Sequence, residues 1–190
     1  LVFHPLNNQV DELSKHPNAF IRPTPSGGKL GGVHRKTRES MMICEAAGYS
    51  VILVETVGVG QSEAEVRDMV DFFLLLTLTG AGDELQGMKK GIMELADGIL
   101  VHRADGDNLK KKRKTVQEYK QILHFLQPST PGWTSTSLAA SSLEKTGLDE
   151  VWKMITTFEE TVKNSNYWDV RRQEQTRDWF HSMITDHLID

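Results

Sequence analysis

Glu55 closes an apolar run, Ser50-Val51-Ile52-Leu53-Val54, and Gly58 follows shortly after in Glu55-Thr56-Val57-Gly58. A carboxylate at the end of a buried strand can hold Mg²⁺ or one of its waters. A glycine just beyond it lets a backbone N–H approach a terminal phosphate. The same residues also suit a plain strand followed by a glycine turn, and both readings stay open here. The nearby Gly58-Val59-Gly60-Gln61-Ser62 is no phosphate loop. The pattern G-x-x-x-x-G-K-[ST] needs a lysine where Gln61 stands, to neutralise the β- and γ-phosphates. Gly27-Gly28-Lys29-Leu30 fails too, since leucine cannot ligate Mg²⁺.

Two further apolar runs end in residues able to do chemistry. After Phe72–Leu78 comes Gly80-Ala81-Gly82-Asp83-Glu84-Leu85-Gln86-Gly87-Met88-Lys89-Lys90-Gly91, a glycine-rich stretch with paired lysines that suits a mobile loop meeting phosphate or a partner. A loop running into a solvated helix is the simpler alternative. After Gly98–Val101 comes His102-Arg103-Ala104-Asp105-Gly106-Asp107-Asn108. A carboxylate placed there can accept hydrogen bonds from the guanine N1–H and 2-amino group, which adenine does not offer. Asp107 or Asn108 can equally cap the next helix. A weaker run, Thr134–Ala139, leads into Ser141-Ser142-Leu143-Glu144-Lys145-Thr146-Gly147, which reads as a turn feeding a helix.

The elements that must carry these residues alternate. The runs at 50–54, 72–78, 98–101 and 134–139 read as strands, the first apolar on both faces as in the interior of a parallel sheet. Amphipathic segments fill the gaps: Val33–Ala47 stopping at Gly48, Asp83–Leu95, and Asn108–Leu126 with Val116, Tyr119, Ile122, Leu123 and Leu126 on one face. Leu148, Val151, Trp152, Ile155, Phe158 and Val162 form a helical stripe. Asp169–Leu188 places Trp179, Phe180, Met183, Ile184 and Leu188 on one side. This order predicts an α/β fold, a mostly parallel sheet flanked by helices with a helical C-terminal extension. Ligands then gather beyond the carboxyl ends of the strands.

Composition narrows the function classes. The chain has 190 residues, 38% hydrophobic and 25% charged, with a net charge of −4. Its longest apolar stretch is far short of the roughly 20 residues that cross a bilayer. The slightly acidic balance gives no general pull toward nucleic acid or anionic membrane, so neither is expected as a partner. Cys44 is the single cysteine, which excludes an internal disulfide and a Cys-rich zinc site and fits a reducing compartment. It is expected in the core. Lys110-Lys111-Lys112-Arg113-Lys114 reads as the solvated start of a helix. The histidines show no metal-ligand spacing. The chain opens on Leu1 without an initiator methionine, and it reads as the middle of a longer protein.

Taken in order, Ala19-Phe20-Ile21-Arg22-Pro23-Thr24-Pro25-Ser26-Gly27-Gly28, Glu55-Thr56-Val57-Gly58, Gly82 to Gly91 and Ala104-Asp105-Gly106 closely resemble the methylmalonyl-CoA mutase-associated GTPases of MeaB type, also labelled ArgK or arginine/ornithine transport-system kinases. The resemblance runs from about Asn7 to Ile155 and is most specific over Glu55–Leu95. It implies a P-loop GTPase-like fold, incomplete at the N-terminus, with residues 1–165 as the C-terminal part of the GTPase domain. Residues 166–190 would be a helical extension that can serve dimerisation, with Tyr167, Trp168, Trp179 and Phe180. It also implies GTP or GDP and Mg²⁺ as cofactors, a homodimer, and an adenosylcobalamin-dependent acyl-CoA mutase as partner. The GTPase would gate cofactor loading and protect that mutase.

By the same resemblance Glu55 is the Mg²⁺-associated acidic residue and Gly58 lies by the γ-phosphate. Gly82, Asp83, Glu84, Gln86, Lys89 and Lys90 belong to a switch loop coupling nucleotide state to the mutase. Asp105 reads guanine, Arg103 packs along the base beside His102, and Ser141-Ser142 back it. The location implied is cytoplasmic, or the mitochondrial matrix in a eukaryote. The sequence departs from the pattern in three places. No phosphate loop is present, His102-Arg103 replace the usual Asn-Lys, and Ser142 stands where alanine is usual. These departures leave a second reading, a partner-docking module that has lost hydrolysis. A transport-system kinase ranks below both, because the sequence supplies no kinase catalytic loop. The chain by itself is expected to bind GTP weakly or not at all.

Overall fold

A computed structural model describes residues 13–22, 30–56, 62–78, 90–102 and 109–189. The chain divides into two compact units, Leu1–Val70 and Asp71–Asp190.

The first unit is built on helix α1, Leu30–Ala46, and a short helix α2, Ser62–Arg67. Helix α1 stops where the sequence says it should. Gly48 takes φ 87°, its N–H donates to Glu45 O, and the Tyr49 N–H donates to Cys44 O. This left-handed cap satisfies carbonyls the last turn would otherwise leave unpaired. Cys44 is buried, as expected of a core thiol, beside Thr37 on the same helix face. Arg22 donates to Lys36 O and to Ser40 Oγ, and Arg38 donates to Asp68 O. The Phe20 and Tyr49 rings lie 6.4 Å apart. The expected first strand does not form. Residues 51–53 lie in no strand and Val54 is only an isolated bridge residue, while Val51 is 47% and Leu53 55% exposed. A strand needs a neighbour that takes its backbone groups along its length, and this run has only the single bridge at Val54.

The second unit is the α/β layer structure the sequence predicts. Strands β1 (Leu74–Leu78), β2 (Gly98–His102) and β3 (Thr136–Ala139) form a parallel sheet in the order β1-β2-β3. Leu74 pairs with Gly98 and Leu78 with His102. On the other side Gly98 pairs with Thr136 and Val101 with Ala139. Helix α3 (Lys90–Leu95) precedes β2, and α4 (Leu109–Phe125) links β2 to β3. Helices α5 (Leu148–Asn164) and α6 (Tyr167–Ile189) follow. Central β2 is buried from Gly98 through Val101, as its apolar run requires, whereas β1 leaves Leu76 59% and Leu78 42% exposed.

Helix α4 covers one face of the sheet, where Tyr119 is fully buried and shares a 2.8 Å hydrogen bond with Thr77 Oγ1 of β1. Helix α5 covers the other. Its buried face is Val151, Met154, Phe158 and Val162, of which Val151 and Met154 cluster with Leu100 and Ala140 against Phe72, Leu74, Trp133 and Leu138. The buried stripe is thus rotated slightly from the sequence reading. Met154 is inside, and Leu148 and Trp152 are 43% and 50% exposed. Gly98 permits that packing, since a Cβ there would lie 2.7 Å from Met154 Cε. Phe158 meets Phe72 and Trp133 edge-on, at ring distances of 4.8 and 5.3 Å, a favoured aromatic geometry.

One polar residue, unpredicted from sequence, ties these parts together. Asp97, fully buried just before β2, accepts the Phe73 N–H at 2.9 Å on Oδ2 and the Thr130 hydroxyl at 2.6 Å on Oδ1. Arg171 of α6, itself buried, stands 3.8 Å from Oδ2 and donates to Thr130 Oγ1 at 3.3 Å. The Asp97 carbonyl accepts the Trp133 indole N–H at 2.8 Å. Arg172 adds a forked ion pair to Asp71, at 2.8 and 2.6 Å, and lies 4.9 Å from the Trp168 ring.

Arg171→Ala strands a buried carboxylate and is expected to cost about 3 kcal/mol in urea unfolding, with Asp97→Ala at least as severe. A loss under about 0.5 kcal/mol for both would show that the network is incidental. Gly147, with φ 76° just before α5, would direct a Cβ into the Ala139 carbonyl oxygen. Gly147→Ala is therefore expected to cost about 1–3 kcal/mol in the same assay.

Candidate functional site

The carboxyl ends of β2 and β3 lie side by side, because the strands are parallel and in register up to Val101 and Ala139. The Ala140 N–H continues the pairing by donating to Val101 O at 3.0 Å. Beyond it the chain makes a closed turn. Ser141 N–H donates to Thr146 O at 3.0 Å, and Thr146 N–H donates back to Ser141 O at 3.1 Å. Ser141 is fully buried, and its Oγ accepts the Glu144 N–H at 3.1 Å. Lys145 is held at φ 54° and Gly147 at φ 76°. Two left-handed residues, a backbone bridge and a buried hydroxyl fix this turn before any ligand arrives. It presents Ser142 and Leu143 to solvent, Leu143 at 84% exposure.

His102 is the last residue of β2 and half-buried. Its Nε2 lies 2.9 Å from Ser142 Oγ, the tautomer deciding which atom donates. The structure thus brings together three of the residues singled out from sequence, His102, Ser141 and Ser142, at adjacent strand ends. The contact between His102 and Ser142, which spans forty positions, was not expected from the sequence. It missed Gly147 as the residue that shapes the turn, although a glycine directly before an apolar helical stripe was the available signal.

Glu55 belongs to the first unit, where it follows Val54 with its side chain exposed. The backbone of Lys90 begins α3. Gly58, Gly82, Asp83, Glu84, Gln86, Lys89, Arg103 and Asp105 lie outside the described residues. Asp105 and Arg103 belong to the segment 103–108, which starts where His102 ends and leads into α4. Among the described residues, the second unit brings together at this end the last residue of β2 and the 141–147 turn. Among the described residues no His, Cys, Asp and Glu side chains are grouped in threes to hold a metal. No helix of the described residues is long and apolar enough to cross a membrane.

Residues 7–190 match the sequence model of the family described as methylmalonyl Co-A mutase-associated GTPase MeaB. A Caulobacter vibrioides relative is 50% identical over 182 residues, which are 96% of this chain and 56% of the relative. The mitochondrial methylmalonic aciduria type A homolog of Caenorhabditis elegans is 40% identical over 181 residues, 95% of this chain and 45% of its own. Among solved structures, the crystal structure of a LAO/AO transport system kinase superposes with a TM-score of 0.84 at 39% identity. It covers 95% of this chain and 56% of that one. The chain thus spans about half the length of the relatives it matches. By its sequence over nearly all its length, and by its fold, it belongs to the methylmalonyl-CoA mutase-associated GTPase (MeaB) family.

Proposed function

We propose that this chain forms the base-reading and switch portion of a GTP-binding, GTP-hydrolysing protein that serves an adenosylcobalamin-dependent acyl-CoA mutase, coupling nucleotide state to cofactor loading and protection. The observation that supports it most is the preformed 141–147 turn beside the end of β2, in a chain of the MeaB family. Residues 1–165 serve as the C-terminal part of a GTPase domain and 166–190 as a helical extension.

In this reading Asp105 accepts the guanine N1–H and 2-amino hydrogens, and Arg103 lays its stem along the base next to His102. Ser141 and Ser142 back the base from the turn. Glu55 is an exposed carboxylate, which suits Mg²⁺, an ion that takes one or two carboxylates plus phosphate oxygens and keeps several waters. When bound, the ion neutralises charge developing on the phosphates. Glu55 orients it or its water, and the Gly58 N–H approaches the terminal phosphate, so the chain contributes positioning and electrostatics. Gly82, Asp83, Glu84, Gln86, Lys89 and Lys90 transmit the nucleotide state to the mutase. Helix α6 leaves Phe180, Ile184 and Leu188 exposed at spacings of four, which suits a homodimer contact. A location in the cytoplasm, or in the mitochondrial matrix of a eukaryote, fits the free thiol of Cys44.

The replacement of the usual Asn-Lys by His102-Arg103 favours one second reading, a docking module without hydrolysis. Phosphate release from GTP, with and without an adenosylcobalamin-dependent acyl-CoA mutase, separates the two. The assay uses the longest in-frame product containing Leu1–Asp190. GTPase function requires stimulation by the mutase, and Glu55→Gln is expected to lower the rate at least about tenfold. Capture by the mutase with no stimulated release would establish the docking module instead.

A further inference from the structure

Two neighbouring arginines of α6 grip the place where the chain enters the second unit, between Val70 and Asp71. Arg172 forks onto both carboxylate oxygens of Asp71, at 2.8 and 2.6 Å. Arg171 stands 3.8 Å from the Asp97 carboxylate, whose Oδ2 accepts the Phe73 N–H at 2.9 Å. We propose that the root of α6, Trp168 to Arg172, is a strap that locks residues 71–73 just before β1, and that the helical extension proper begins only beyond it. The strap is independent of the nucleotide reading above.

Adjacent residues of a helix point about 100° apart, so Arg171 and Arg172 can hold two carboxylates at once, buried Asp97 and partly exposed Asp71. The Phe73 backbone is tied to Asp97 in both directions, since its carbonyl also accepts the Asp97 N–H at 3.0 Å. Whatever fixes Asp97 therefore fixes Phe73. The same root is fastened to α5. Lys163 Nζ and Arg172 Cζ each lie 4.9 Å from the centre of the Trp168 ring, a cation–π distance, and Lys163 also pairs with Glu159 of its own helix at 2.6 Å. Burial stops with these contacts. From Gln173 onward every described side chain of α6 is half-buried or exposed, Phe180 at 55% and Leu188 at 80%. Residues 167–172 thus belong to the framework of the second unit, and 173–189 form an arm that bears on the start of β1 through its root. A forked arginine–carboxylate pair holds one geometry where a single contact would not. Opening it frees Asp71 and, through the adjoining arginine, loosens the bond between Phe73 and Asp97.

The Phe73 amide reports on the strap directly, because its hydrogen goes to Asp97. The test is native-state amide exchange on the whole chain, using Arg172→Ala, Asp71→Ala and the double variant. Each single change is expected to speed exchange at Phe73 by roughly threefold to tenfold and to move the Trp168 indole resonance. The amides of Leu100 and Val101 in β2 should keep their wild-type rates. The double variant should exchange no faster than either single one, and swapping the charges, Asp71→Arg with Arg172→Asp, should restore part of the protection. A variant that fails to fold is replaced by Arg172→Lys, which keeps the charge and loses the fork, with the same direction expected at Phe73. Phe73 exchange that ignores the loss of Arg172 would overturn the strap. Additive effects of the two single changes would overturn it too, as would a rise at Phe73 matched at Leu100 and Val101, the mark of general destabilisation.

Discussion

The second unit depends on a carboxylate buried where an apolar core would otherwise close. Asp97 holds the start of β1 through the Phe73 N–H, the loop before β3 through Thr130 and Trp133, and α6 through Arg171. A buried charge is costly unless every lone pair is met. These elements can therefore occupy only the arrangement in which Asp97 is satisfied. The network sits at the amino ends of the strands, and the apolar layers of α4 and α5 then stack above it. Fixing one end of a short parallel sheet fixes the other, so the carboxyl ends of β2 and β3 meet with His102 opposite Ser142. The geometry at the carboxyl ends thus depends on a polar network at the opposite ends of the strands.

This division of labour accounts for the contrast between strands. Central β2 is covered on both faces and completes its backbone pairing on both edges. Strand β1 borders the sheet with Leu76 and Leu78 exposed, and the run at 51–54 in the first unit has apolar side chains in solvent and no pairing strand among the described residues. These side chains have the composition of sheet interior without its environment.

Much of the fold was legible in the sequence because burial leaves a period. The runs at 72–78, 98–101 and 134–139 became strands, and four of the amphipathic segments became helices with ends within a few residues of those expected. The run at 51–54 misled, because periodicity reports what a segment is fit for and not whether a partner is present. Helix α2 went unread, its six residues being too few to show a stripe. Asp97 was invisible for the opposite reason. An aspartate before a strand reads as a loop residue, and only the fold reveals that Thr130 and Arg171 converge on it. Of the candidate site residues, His102 was singled out from its place after an apolar run, and Ser141 and Ser142 from the family resemblance. The His102–Ser142 contact follows from the pairing of β2 with β3, which neither segment's own pattern specifies.

In the function proposed above, the ends of β2 and β3 form a guanine-reading surface. Because the 141–147 turn is already built, weak binding is expected of the chain alone, and not its complete absence. The most direct measurement is a titration of GDP, and separately ADP, into the isotope-labelled chain at millimolar concentrations, following the backbone resonances of His102, Ser141 and Ser142. GDP is expected to shift these resonances in a saturable manner, and ADP is not. Equal responses to the two nucleotides, or none to either, would contradict it.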